Sequence, residues 1–202
     1  MLDFIFAACG LILCSPIILV TGLMVRVNMG KPVFFRQLRP GLNGKPFTLY
    51  KLRTMREQSN TTEELLADGL RLTALGKMLR LTSMDELPQL FNILKGDMSF
   101  VGPRPLLIKY LPHYTAREQL RHHVRPGLTG LAQVAGRNQL KWNERLELDA
   151  CYVEQQSMLL DLKIIGLTFV AILQRKGIVL DPGKFMLDLD VERAHGSQSV
   201  KS

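Results

Sequence analysis

Residues 2–25 read LDFIFAACGLILCSPIILVTGLMV, an almost unbroken apolar run with Asp3 at its start and Ser15-Pro16 at its middle. As a helix rising ~1.5 Å per residue it would reach about 36 Å, enough to cross a hydrocarbon core of roughly 30 Å. A cleaved signal peptide is disfavoured, because Asp3 stands where a basic n-region would be. Arg26, Lys31, Arg36 and Arg39 follow the run and argue that the rest of the chain is cytoplasmic. Proline inside a helix removes a backbone hydrogen bond and clashes with the previous turn, at about 3 kcal/mol. The Ser15 hydroxyl can bond a carbonyl freed by that break. A break there could turn the chain back, with both ends on one face. The residues by themselves favour a single span over such re-entry.

Outward from this anchor, the 202 residues suffice for one buried core. A net charge of +8 calls for an anionic partner: nucleic acid, an acidic membrane surface or a phosphorylated substrate. The basic residues are scattered rather than striped with aromatics, so nucleic acid is not expected. Cys9, Cys14 and Cys151 have no metal-site spacing, and two of them lie in the apolar run, so neither a disulfide framework nor a zinc site is expected. A reducing cytosolic setting follows.

Residues 33–38 (VFFRQL) and 47–53 (FTLYKLR) flank the turn-rich RPGLNGK and predict a β-hairpin. Residues 55–70 read as a polar surface loop with a short helix. Helical spacing recurs over 73–81, 117–123 and 142–156, with RPGLTGLAQVAGR (125–137) as loop or strand. Residues 159–173 are apolar nearly all round, which suits either a buried core helix or one lying in a membrane interface. The final dozen residues read as a disordered tail. The expected fold is α+β and predominantly helical: a membrane helix over 1–27, a compact domain over 28–190, and a tail over 191–202.

The chemistry concentrates in residues 82–105, TSMDELPQLFNILKGDMSFVGPRP. Ser83 and Glu86 have capping-box spacing and predict a helix start at Ser83, with Pro88 distorting its first turn. Asp85 and Glu86 then sit among free N–H groups, where acidic residues are common simply as caps. Their company points further. Arg80 lies just upstream, Arg104 stands between two prolines, Arg125 precedes Pro126-Gly127, and Arg137 follows Gly136. Guanidinium groups on stiff turns suit bidentate phosphate recognition. A carboxylate pair amid such arginines is explained by a phosphate ester with a hard cation such as Mg²⁺. Walker and dinucleotide-binding motifs are absent from the sequence.

These segments resemble the bacterial sugar transferases, the monotopic phosphoglycosyl transferases. The matching runs are the Ser15-Pro16 anchor, PVFFRQLRPGLNGKPFTLYKLRTM (32–55), LRLTSMDELPQLFNILKGDMSFVGPRPLL (79–107), RPGLTGLAQVAGR and LLDLKII (159–165), in family order over roughly 1–175. The resemblance is to the small, minimal-length members. It implies a re-entrant Ser-Pro helix instead of a span, interfacial amphipathic helices, and a catalytic domain on the cytoplasmic face of the bacterial inner membrane. It implies that Asp85 attacks the β-phosphate of a UDP-sugar and releases UMP. Polyprenyl phosphate would then take the sugar phosphate from Asp85, as the first membrane step of glycoconjugate synthesis. Glu86 would place Mg²⁺ or position Asp85, with both carboxylates as metal ligands. Lys51, Arg80, Arg104 and Arg137 would contact phosphate or nucleotide. An N-acetylated amino sugar is the expected donor, and Asp149 and Asp161 match acidic positions whose role the sequence leaves open. A competing reading from another class is a non-catalytic basic adaptor holding anionic lipid or a partner.

Overall fold

The computed structural model describes residues 2–56, 71–136, 140–174 and 187–198. It divides into two compact units. The first comprises residues 1–37 and 48–96, and the second residues 38–47 and 97–202. The fold is mostly helical, as expected, with strands confined to small sheets.

In the first unit, α1 (Leu2–Met29) is a continuous helix with Pro16 inside it. Proline 16 cannot donate to the carbonyl of Ile12, four residues back, and the Ser15 hydroxyl donates to that same oxygen at 2.8 Å. The Ser-Pro pair therefore carries its own repair. Thr21 likewise donates its hydroxyl to Ile17 O at 2.6 Å. Of the side chains on α1, Ala7, Thr21 and Val25 are buried, while Ile12, Leu13, Leu19 and Val27 are each more than 70% exposed. The length and composition of α1 are those of a helix able to cross a membrane. The end of α1 is closed by Arg53, buried, whose guanidinium donates to the carbonyls of Met29, Gly30 (3.3 Å) and Lys31 (3.0 Å). A cation at the negative end of a helix is favourable both as a donor and as a charge.

The predicted hairpin forms as β1 (Phe34–Pro40) and β2 (Pro46–Leu52), joined through a 3₁₀ turn at Leu42–Gly44. Helix α2 (Ala74–Leu81) starts where Thr73 caps it, its hydroxyl accepting from Gly76 N at 2.9 Å. At Gly76 a Cβ would lie 1.9 Å from Thr54 O, so only glycine lets α2 approach the chain leaving β2 this closely.

The expected helix start at Ser83 is not what forms. Ser83 adopts a left-handed conformation (φ 56°) and its side chain caps nothing. A single 3₁₀ turn, Met84–Glu86, precedes α3 (Gln89–Lys95), which Pro88 introduces and Gly96 ends. The reason is physical: Pro88 lacks the N–H a regular α-turn would use, and Glu86 turns to Lys51 instead of back to Ser83.

In the second unit, β3 (Ser99–Val101) and β4 (Gly127–Thr129) pair in parallel, Ser99 with Gly127 and Val101 with Thr129. A Cβ on Gly127 would meet Gly102 N at 2.1 Å. Around this pair lie α4 (Ala116–Gln119), with a capping box from Thr115 to Glu118, α5 (Leu131–Ala135) and α6 (Trp142–Gln155). One core gathers Leu106, Tyr110, Tyr114, Trp142, Leu146 and Leu189; another gathers Val101, Tyr152 and Ile164. The helix expected over 117–123 is only α4 continued by a 3₁₀ turn, Leu120–His122.

Helix α7 (Met158–Leu173) is not the buried core helix its composition allows. Ile164 is fully buried, but Met158, Leu159, Leu162, Phe169 and Val170 form an exposed apolar stripe. Helix α8 (Leu189–Gln198) carries helical structure into the stretch whose composition suggested a disordered tail. Its start is anchored because Trp142 Nε1 donates to Leu187 O at 2.8 Å and Leu189 is fully buried.

Replacing Gly76 by Ala should cost about 1–3 kcal/mol through overpacking against Thr54. A lower melting temperature of the detergent-solubilised chain would register it, and an unchanged one would show that α2 can back away from Thr54 without loss.

Candidate active site

Helical residues 85–95 are fastened to β2 by polar contacts. Asn92, fully buried, donates from Nδ2 to Thr48 O at 2.7 Å and accepts from Tyr50 N at 3.1 Å. Lys51, the next residue along, donates to Glu86 Oε1 at 2.7 Å, both side chains about one-fifth exposed. A charged bond at this depth is stronger than one in open solvent.

Asp85 sits on the 3₁₀ turn and is 8% exposed. Glu86, beside it in sequence, faces Lys51. Consecutive residues on a tight turn diverge: Glu86 turns to Lys51, while Asp85 is nearly buried. Arg80, in the last turn of α2, donates from Nε to the hydroxyl of buried Thr54 at 3.1 Å. Lys51, Arg80, Asp85 and Glu86, all singled out from sequence, thus belong to the first unit.

Among the described residues no cluster of three or more His, Cys, Asp or Glu forms. The Asp85–Glu86 pair is therefore not a cage for a metal by itself. With Glu86 already bonded to Lys51, these carboxylates would serve a hard cation only alongside phosphate oxygens and water.

Arg104 lies in the second unit, on the Gly-Pro-Arg-Pro loop that leaves β3. The structure gives this loop a support that sequence reading missed. Arg121, 3% exposed, donates from Nη2 to Arg104 O at 2.6 Å and to Asp149 Oδ2 at 2.9 Å, and from Nη1 to the Tyr114 hydroxyl at 2.9 Å. Asp149 is equally buried, so burial pushes its carboxyl up to about 6, while Arg121 and then Arg145 pull it down.

Arg39 joins this neighbourhood from the tip of the hairpin; burial and then the Arg104 guanidinium pull its pKa down to about 10. Arg145 is lowered first by burial and then by Arg104 and Arg121, with Asp149 opposing them. Arg104 is therefore within electrostatic reach of Arg39 and Arg145, and Arg145 of Arg121 and Asp149. Only Arg104 was legible beforehand; the one signal for the rest was that Arg145 and Asp149 stand one helical turn apart on α6.

Asp161, the other acidic residue without an assigned role, accepts from the Tyr152 hydroxyl at 2.8 Å and so orients a fully buried ring. Arg125 is exposed, and Arg137 lies outside the described residues.

A family model of bacterial sugar transferases matches residues 1–175. The chain belongs to the bacterial sugar transferase family. This sugar transferase is 54% identical over 173 residues to the "uncharacterized sugar transferase EpsL" of Bacillus subtilis (strain 168), covering 85% of this chain and 86% of that protein. It is 45% identical over 176 residues to a UDP-glucose:undecaprenyl-phosphate glucose-1-phosphate transferase of Klebsiella pneumoniae, covering 82% of this chain but 38% of the relative. A Caulobacter vibrioides protein of the same name is 40% identical over 182 residues, with 85% of this chain and 68% of the relative covered.

The Arg121–Asp149 pair gives a direct test. Removing one partner of a buried ion pair leaves an uncompensated charge and costs about 3–5 kcal/mol, whereas replacing both with apolar residues of similar volume is far milder. Asp149→Leu alone should therefore lower the melting temperature sharply, and adding Arg121→Met should recover much of the loss. Additive losses in the double variant would show that the two side chains do not act as a pair.

Proposed function

We propose that this sugar transferase moves a sugar 1-phosphate from a UDP-sugar onto undecaprenyl or another polyprenyl phosphate through a covalent intermediate on Asp85. The observation that carries this reading is the asymmetric placement of the two carboxylates: Glu86 bonded to Lys51 at 2.7 Å, Asp85 turned inward and 8% exposed. A nearly buried carboxylate on a tight turn that Lys51 braces through Glu86 suits nucleophilic attack. The relatives named as glucose-1-phosphate transferases of undecaprenyl phosphate support the overall reaction.

Asp85 Oδ bonds to the β-phosphorus as the bond from that phosphorus to the α–β bridging oxygen breaks, and UMP leaves with the bridging oxygen. An oxygen of the polyprenyl phosphate then attacks the same phosphorus and releases the Asp85 carboxylate. Splitting the transfer avoids bringing two phosphate anions together in one step. Mg²⁺, held by the Asp85–Glu86 turn together with substrate phosphates, would supply charge neutralisation when bound. Lys51 keeps Glu86 in place, Arg80 is set beside the chain leaving β2, and Arg104 offers a guanidinium for phosphate from a loop stiffened by prolines and by Arg121.

Undecaprenyl phosphate lives in a membrane, and α1 and the exposed stripe of α7 are the apolar surfaces that suit one. The Ser15 bond to Ile12 O makes a bend at Pro16 inexpensive at membrane depth. On this reading α1 is re-entrant, α7 lies in the headgroup region, and the domain faces the cytoplasm at the inner leaflet. The donor is a UDP-hexose or its N-acetylated amino derivative; UDP-glucose and UDP-N-acetylated amino sugars head the panel to test.

Purified chain given that panel without lipid acceptor should release UMP in a burst no larger than the enzyme concentration, leaving a sugar phosphate on the peptide containing Asp85. Asp85→Asn should abolish both signals; turnover by that variant at near-normal rates would remove Asp85 as nucleophile. For the anchor, a background lacking Cys9, Cys14 and Cys151 with single cysteines at positions 2 and 30 separates the topologies. Labelling of both from the cytoplasmic side is expected, and labelling from opposite sides would establish a span.

A further inference from the structure

From Met84 to Lys95 the backbone is helical throughout, tight over Met84–Glu86 and regular from Gln89, with Leu87 and Pro88 in right-handed helical conformation between. Spacings of four and seven along such a segment fall on one face. That face carries Asp85, Gln89 and Asn92, all polar and all buried: 8%, 2% and 0% exposed. A helix face packed against protein is normally apolar, so three polar residues in a row on it need partners.

Asn92 has them. Both ends of its amide are used, one on Thr48 O and one on Tyr50 N. Gln89, one turn nearer to Asp85, does not: its Nε2 is buried and no hydrogen-bond partner meets it. An amide kept for structure would bind backbone as its neighbour does, and a leucine or methionine would fill the same space without a stranded donor. A buried donor left in this way calls for an acceptor from outside the protein: a water, an ion or a ligand oxygen.

We infer that Gln89 is a substrate-contacting residue, its Nε2–H donating to a phosphoryl oxygen of the sugar phosphate that Asp85 receives. This rests on Asp85 being the nucleophile. Phosphoryl oxygens are strong acceptors that gain charge in the transfer, and a preset donor costs no reorganisation as that charge develops. The side chain needs no charge of its own.

Gln89→Met keeps the volume and removes the donor. In single-turnover experiments on the full chain, using whichever donor in the UDP-sugar panel gives the wild type its UMP burst, this variant should form the Asp85 adduct about 10²–10³-fold more slowly, the usual loss for one such donor. Its melting temperature should stay level or rise, because a stranded buried amide has been replaced by an apolar group. Adduct formation within threefold of wild type would overturn the inference. If Gln89→Met loses rate and melting temperature together, Gln89→Glu decides: normal folding with the adduct lost supports a donor to phosphate, while normal folding with wild-type adduct, or failure of both variants to fold, makes the amide structural and overturns it. Asp85→Asn run alongside separates the two ideas. Turnover by Asp85→Asn, or no burst from wild type with any donor, would sink the nucleophile reading itself; a dead Asp85→Asn beside an unimpaired Gln89→Met would sink only the role of Gln89.

Discussion

The geometry around Asp85 depends on how residues 84–95 are held to β2. Two kinds of bond do it. Asn92 substitutes for a missing strand neighbour by pairing with the backbone of Thr48 and Tyr50, and Lys51 reaches Glu86 in the turn. The first fixes the far end of the segment and the second the near end. Between them Pro88 prevents a regular helical start, so the chain makes a 3₁₀ turn there and Asp85 and Glu86 point apart. The different settings of the two carboxylates are thus a consequence of one proline and one ion pair.

The second unit solves a different problem, that of presenting an arginine on a loop. Prolines on both sides of Arg104 limit what the loop can do, and Arg121 holds its carbonyl from beneath. Arg121 can be buried because Asp149 is buried with it and because Tyr114 takes a further N–H. Buried ion pairs contribute little net stability. Their value here is positional: a buried guanidinium held by three acceptors under a short loop leaves that loop few alternatives.

The apolar surfaces divide by what covers them. The side chains of Leu106, Tyr110, Trp142 and Leu146 close on one another, Tyr110 and Trp142 edge to face with ring centroids 5.3 Å apart. The outer stripe of α7 and most of α1 find no such cover within their own units. Scattered exposed leucines are ordinary, but contiguous runs of them belong to proteins that meet lipid or a partner.

The sequence by itself determined the long apolar helix, the hairpin and the family, and it singled out Asp85, Glu86, Lys51, Arg80 and Arg104 as candidates, because each is written in local composition, spacing or a contiguous run. Even the Ser15 bond within α1 was legible, since donor and acceptor are three residues apart. Tertiary structure alone decided the rest. Ser83 and Glu86 have the spacing of a cap and do not form one, because Lys51, 35 residues upstream, competes for the carboxylate. Asp149 had no readable role because Arg121 lies on another element, and the exposed side of α7 could not be told from its buried side, because an all-apolar helix carries no marker of which face meets protein. Contacts between residues distant in the chain are set by packing, and a sequence records them only as residues whose purpose is not yet visible.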